Sequence, residues 1–101
     1  MKVRIPFGNH FENAILKDIK IYTSRTKKYG NVGDTFEAFG QEFVITSIEK
    51  WPLRDIARYF YKEEGLNSPE DFIILWNMLH PRKRWLPDQV VWLHGFERKR
   101  E

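Results

Sequence analysis

No cysteine occurs among the 101 residues. Disulfides, a thiolate nucleophile and thiolate zinc sites are therefore excluded. No apolar run approaches the roughly 18 residues that suggest a membrane span, and the N-terminus lacks the apolar core of a signal peptide. A soluble, cytoplasmic protein without a membrane partner is expected. The 3 histidines, His10, His80 and His94, stand far apart and fit no metal-ligand spacing such as HExxH. Neither a metal nor a cofactor is expected. Glycine-rich phosphate loops and the GxSxG nucleophile elbow are also missing, which removes support for ordinary nucleotide-phosphate cradling and serine hydrolysis. Repeats, low-complexity segments and Gly/Ser-rich linkers are absent. The chain 1–101 therefore reads as a single domain, ending in a basic tail over about 97–101.

What is present is aromatic and charged. There are 4 Trp, 8 Phe and 4 Tyr, enough large rings to fill the modest core of so short a chain. Net charge is +3, and the cations are clustered at Lys27-Lys28, Arg82-Lys83-Arg84 and Arg98-Lys99-Arg100. Such clusters suit an anionic partner such as nucleic acid; solvated loops and a charged tail are the plainer explanation.

Periodicity gives the elements. Val3-Arg4-Ile5 is a short strand stopped by Pro6. Asn9 is placed to cap a helix over 10–17, with Phe11, Ala14 and Ile15 on one face. Asp18 ends it, since Asp tolerates the left-handed backbone common at helix ends. A β-prone strand follows over 20–25. Strands over 35–39 and 42–48 flank Gly40-Gln41, read as a two-residue hairpin loop with Gly first. Pro52 opens a helix with Leu53, Ile56, Ala57 and Phe60 as its stripe, and Gly65 serves as its C-cap. Ser68, Pro69, Glu70 and Asp71 form a strong helix start. Phe72, Leu75, Trp76 and Leu79 then repeat at helical spacing, and Pro81 stops the run. A closing strand covers 90–96, with Val90, Trp92 and His94 on one face and a bulge expected at Gly95. The order β-α-β-β-β-α-α-β points to an α+β fold with a mostly antiparallel sheet or small barrel.

Chemistry concentrates near the second strand. Strict alternation puts Lys20, Tyr22 and Ser24 on one face and Ile21, Thr23 and Arg25 on the other. Lys20 and Thr23 share a site only if Lys20 belongs to the bend leaving the first helix. A threonine nucleophile needs a base; a desolvated lysine can act as one, and a carboxylate such as Glu63 or Glu64 can move protons. Tyr29 follows Lys27-Lys28, and Trp85 follows Arg82-Lys83-Arg84. Exposed rings beside cations can stack a base while the cations hold phosphates.

The string Lys20-Ile-Tyr-Thr23-Ser-Arg25 resembles the GxKxxTxR signature of ASCH domains, a branch of the PUA-like superfamily. Gly33-Asp34 is similar to the family's Gly-Asp before the next strand. The run from Glu64-Gly65 through Ser68 to Phe72 resembles its EGxxSxxEF segment, and the last strand, ending in Phe96-Glu97, resembles its closing strand. The four matches are collinear over almost the whole chain. Asp18 stands where the family usually has Gly. The resemblance implies a small PUA-like β-barrel of about five to six mostly antiparallel strands with two or three helices, and a cleft between barrel and helices. It implies RNA or nucleoside recognition. A cleft lined by Lys20, Thr23, Arg25 and Glu64 is expected to bind RNA or a modified nucleoside, with Tyr29, Trp85, Arg82, Lys83 and Arg84, singled out by their own sequence context, as further ligand contacts. Some bacterial members hydrolyse the acetyl amide of N4-acetylcytidine, and their catalytic Lys, Thr and Glu fall on Lys20, Thr23 and Glu64. Ribonuclease activity has also been suggested for the family. A protein-interaction module is the remaining expectation.

Overall fold

Four strands form one antiparallel sheet in the order β1-β4-β3-β2: Tyr22–Arg25 (β1), Thr35–Ala38 (β2), Gln41–Pro52 (β3) and Val90–Arg98 (β4). The sheet curls into a half-barrel. A 3-10 turn, Asn9–Phe11, leads into the short helix Glu12–Leu16 (α1). Leu53–Tyr59 (α2) and Pro69–Leu79 (α3) lie between β3 and β4 in the chain. The computed structural model describes residues 1–100. Glu101, the last residue of the expected basic tail, lies outside the described residues; the preceding Glu97 and Arg98 belong to β4.

The expected count of five to six strands is too high. The first candidate, Val3-Arg4-Ile5, forms no strand: the preceding Lys2 makes an isolated bridge, parallel to Thr35, and Val3 N–H donates to Thr35 O at 2.7 Å. Ile5 instead plugs the core, and Pro6 ends any further pairing because it has no N–H to give. Asn9 does not cap the first helix: it sits inside the 3-10 turn, whose N-cap is Gly8. The hairpin loop is Phe39-Gly40 rather than Gly40-Gln41, since Ala38 pairs with Gln41. Both loop residues have positive φ, 53° and 79°, as a turn matched to strand twist requires. The bulge falls on β3. Ile45 pairs with Phe96 and Ser47 with Gly95, leaving Thr46 as the extra residue. Gly95 is glycine for space: a Cβ there would meet Ser47 Oγ at 2.4 Å.

The two faces of β4 serve two cores. Phe96 joins Phe36, Phe43, Ile45, Ile5, Phe11 and Ile15 in the first. Val91 and Leu93 point the other way and pack against Leu53, Ile56 and Ala57 of α2 and Phe72 and Trp76 of α3. Ser68 caps α3 as its sequence indicates, accepting from Asp71 N–H at 3.1 Å. Gly65 is not the cap of α2, which ends at Tyr59. It closes the turn that follows: Leu66 N–H reaches Tyr61 O and Gly65 N–H reaches Lys62 O, both at 2.9 Å, with φ of Gly65 at 88°. This is a Schellman closure, and it fixes Glu64 just before the glycine.

Candidate functional site

Lys20 lies outside the strand. Asp18 takes the left-handed conformation (φ 58°), and Ile19 and Lys20 both donate their N–H to Ala14 O at 2.9 and 3.0 Å. Ile21 and Tyr22 then both donate to Glu63 O at 2.8 and 2.9 Å. The backbone therefore bends between Lys20 and β1. Glu63 contributes its carbonyl to that bend, while the Glu64 side chain turns inward and is buried.

Lys20 and Glu64 meet there. The Lys20 ammonium donates to Tyr22 O at 2.9 Å, Glu64 O at 2.8 Å and Glu64 Oε1 at 3.1 Å. It also lies 4.4 Å from the centre of the Phe11 ring. The side chains of the pair are only 2% and 4% exposed. Burial pushes the Lys20 pKa below the usual lysine range, and the Glu64 carboxylate partly restores it. Three acceptors match the three N–H bonds of an ammonium; a neutral amine has only two to offer. The resting pair is ionic. Glu64 Oε2 takes a short hydrogen bond from Ser24 Oγ. Gly65 makes this approach possible, because a Cβ on it would stand 2.9 Å from Lys20 Cβ.

Thr23 and Arg25 form a second polar pair. Arg25 Nε donates to Thr23 Oγ1 at 3.0 Å and Nη2 to Pro6 O at 2.6 Å. The guanidinium lies 5.1 Å from the Phe7 ring centre and 5.4 Å from that of Tyr29. Its Nη1 makes no close hydrogen bond, though the Tyr29 hydroxyl also steadies the guanidinium charge, and no hydrogen bond joins Lys20 to Thr23, among the described residues. Behind them, fully buried His94 accepts from Tyr29 N–H at Nε2 (3.1 Å), with Nδ1 3.4 Å from Thr23 O. These partners call for a neutral ring with its hydrogen on Nδ1. Burial lowers the His94 pKa and favours that form.

Lys20, Thr23, Ser24, Arg25 and Glu64 all line one cavity of about 290 Å³. Residues from both faces of β1 line it, and β1 is an edge strand of the sheet. Phe7 and Phe11 from the N-terminal segment, Tyr29 from the loop after β1, and Phe72, Trp76 and His80 from α3 and its end add aromatic rings to the lining. Trp76 and His80 are stacked at 4.1 Å, one turn apart on α3 and its end.

Not every residue singled out in the sequence reaches this cavity. Tyr29 does. Trp85 is half-buried against the second core, edge-on to Phe72 at 6.3 Å, and is not a lining residue. Arg82, Lys83 and Arg84 are exposed in the loop after Pro81, outside the cavity wall. Trp76 and His80 were legible only as core and helix end. Their i, i+4 spacing was the available signal for a paired surface. No group of three or more His, Asp or Glu side chains suited to a metal ion occurs among the described residues. No helix among them is long and apolar enough to cross a membrane.

The fold has counterparts among solved structures. An ASCH domain from Lactobacillus crispatus superposes with a TM-score of 0.71 at 15% identity, covering 96% of this chain and 79% of that one. A DUF984-family protein from Enterococcus faecalis gives 0.69 at 19% identity, covering 97% and 80%. The hypothetical protein PH0355 gives 0.74 at 14% identity, covering 98% and 100%. No family model matches the sequence. No curated protein matches it significantly. The chain has the fold of an ASCH-domain structure: a curled antiparallel sheet with three helices.

Proposed function

We propose that this chain is an ASCH-type domain that binds RNA or a modified nucleoside in the cavity around β1. The observation that carries the reading is the combination of polar side chains with several aromatic rings in the lining of one cavity. Planar ligand rings pack on such aromatic side chains, and fixed donors and acceptors beside them set the orientation. Arg25 is the cation with donors to spare, so it meets a ligand oxygen; Lys20 and Glu64 line the site and hold its shape. Calorimetric titration with nucleosides and short single-stranded RNAs tests the reading. Micromolar to millimolar binding, weakening with salt for RNA, is expected. No heat and no shift in melting temperature with any of them at low salt would refute it.

A second reading, an amidohydrolase acting on N4-acetylcytidine, is favoured by Lys20, Thr23 and Glu64 lining the same cavity. It requires Lys20 to give up a proton and turn toward Thr23, away from acceptors that now hold all three N–H bonds. Incubation with N4-acetylcytidine separates the readings. Release of cytidine that disappears in both Lys20→Ala and Thr23→Ala supports the enzyme; a substrate bound but unchanged supports binding alone.

A further inference from the structure

The free edge of β1 is only half covered. Phe96 N–H donates to Ile21 O at 2.9 Å, and the register continues as Tyr22↔Gly95, Thr23↔His94 and Ser24↔Leu93. In an antiparallel ladder, hydrogen-bonded pairs alternate with unbonded ones. The Ile21 carbonyl and the main-chain groups of Thr23 and Arg25 therefore turn toward β4, the Ile21 N–H being taken by Glu63 O, while Tyr22 and Ser24 turn theirs outward.

Tyr22 has its outward groups satisfied by the protein. Its N–H donates to Glu63 O at 2.9 Å, and its carbonyl accepts from Lys20 Nζ at 2.9 Å. Ser24, two residues on, lines the cavity, yet neither its main-chain N–H nor its carbonyl has a partner among the described residues. Its side chain is committed elsewhere, to Glu64. An acceptor and a donor thus cover the edge at Tyr22, and the same closely spaced demand is open at Ser24. Unpaired main-chain groups of this kind are strong sites for a complementary partner.

We propose that the main-chain N–H and C=O of Ser24 read the edge of a heterocyclic base bearing one acceptor beside one N–H donor, with Arg25 Nη1 meeting a further oxygen. The inference rests on the nucleoside reading above and specifies how that site selects. A lactam or aminopyrimidine edge fits. A ring whose N–H is replaced by N-methyl leaves the Ser24 carbonyl unpaired and crowded.

The test is a ¹⁵N–¹H NMR titration with uridine and 3-methyluridine, and with cytidine and N4,N4-dimethylcytidine. Uridine and cytidine should move the Ser24 amide downfield and slow its hydrogen exchange. Each methylated partner should bind about tenfold more weakly, the usual worth of one lost hydrogen bond of this type. An amide-to-ester replacement at Ser24, which removes its N–H and weakens the Thr23 carbonyl but leaves the Ser24 carbonyl intact, should weaken uridine and cytidine by a similar factor. If the parent nucleosides bind while the Ser24 amide stays unmoved, or if methylation costs nothing, this inference fails and the nucleoside reading survives. If no nucleoside or RNA binds, both fall.

Discussion

Two polar pairs lie side by side at β1, and they differ in what they leave unused. Lys20–Glu64 is closed: every ammonium hydrogen has an acceptor, and both carboxylate oxygens are engaged. Thr23–Arg25 is more open: Nε and Nη2 hold the guanidinium and the Tyr29 hydroxyl steadies it, but Nη1 makes no close hydrogen bond among the described residues, and Arg25 lines the cavity. Burial makes the first pair conspicuous. Free hydrogen-bonding capacity makes the second the better candidate for ligand contact. A closed buried pair fixes geometry, and removing half of it strands a charge.

Breaking the closed pair should give the largest effect. Glu64→Leu alone leaves the Lys20 charge buried without its counter-ion and should cost about 3–5 kcal/mol in urea unfolding. The double variant Lys20→Met/Glu64→Leu should recover most of that loss. If the single and double variants are equally destabilised, the pair is not what holds the bend. Next comes Trp85→Ala, which should cost about 2 kcal/mol through lost packing on Phe72 and leave nucleoside affinity unchanged. A loss of affinity without loss of stability would place Trp85 in the site. Gly65→Ala should cost roughly 1–2 kcal/mol, because its φ of 88° disfavours a side chain and the new methyl presses on Lys20 Cβ. A lowered melting temperature with weaker ligand binding is expected.

His94 gives a smaller, pH-dependent effect. Its folded pKa lies below the ordinary histidine value of about 6.5. Between the two values the unfolded chain binds more protons than the folded one, so stability rises with pH there. The contribution is present above the ordinary value and is lost as pH falls below it. His94→Gln should flatten the slope of unfolding free energy in the range just below the ordinary histidine value. An unchanged slope would show that the ring is not the titrating group.

Much of the fold was legible in local patterns. Ser68 with Pro69 announced α3, and the alternation of Phe36 with Ala38 and of Phe43 with Ile45 announced the buried face of β2 and β3. The errors came from choices that local sequence leaves nearly balanced. Val3-Arg4-Ile5 has strand character, but only the whole sheet decides whether a partner is available. At Phe39-Gly40 the register of β2 with β3 overrode the cost of a phenylalanine in the left-handed region. The site was half legible. Lys20 reaches the site from the bend before β1, where alternation does not apply; alternation did separate Ser24 from Thr23 and Arg25, which is correct for the strand. It gave no hint that β1 is an edge strand, where a cavity can gather both faces. Strand order arises from long-range pairing, and no window of sequence contains it.

The most direct measurement compares Arg25→Met with the unsubstituted protein by calorimetric titration with a nucleoside, alongside urea unfolding of each. Loss of the charged donor should weaken binding about 10- to 100-fold. Stability should change far less than it does in Glu64→Leu. Equal affinity in the two proteins would contradict the assignment of Arg25 as the contact and return that role to the closed pair.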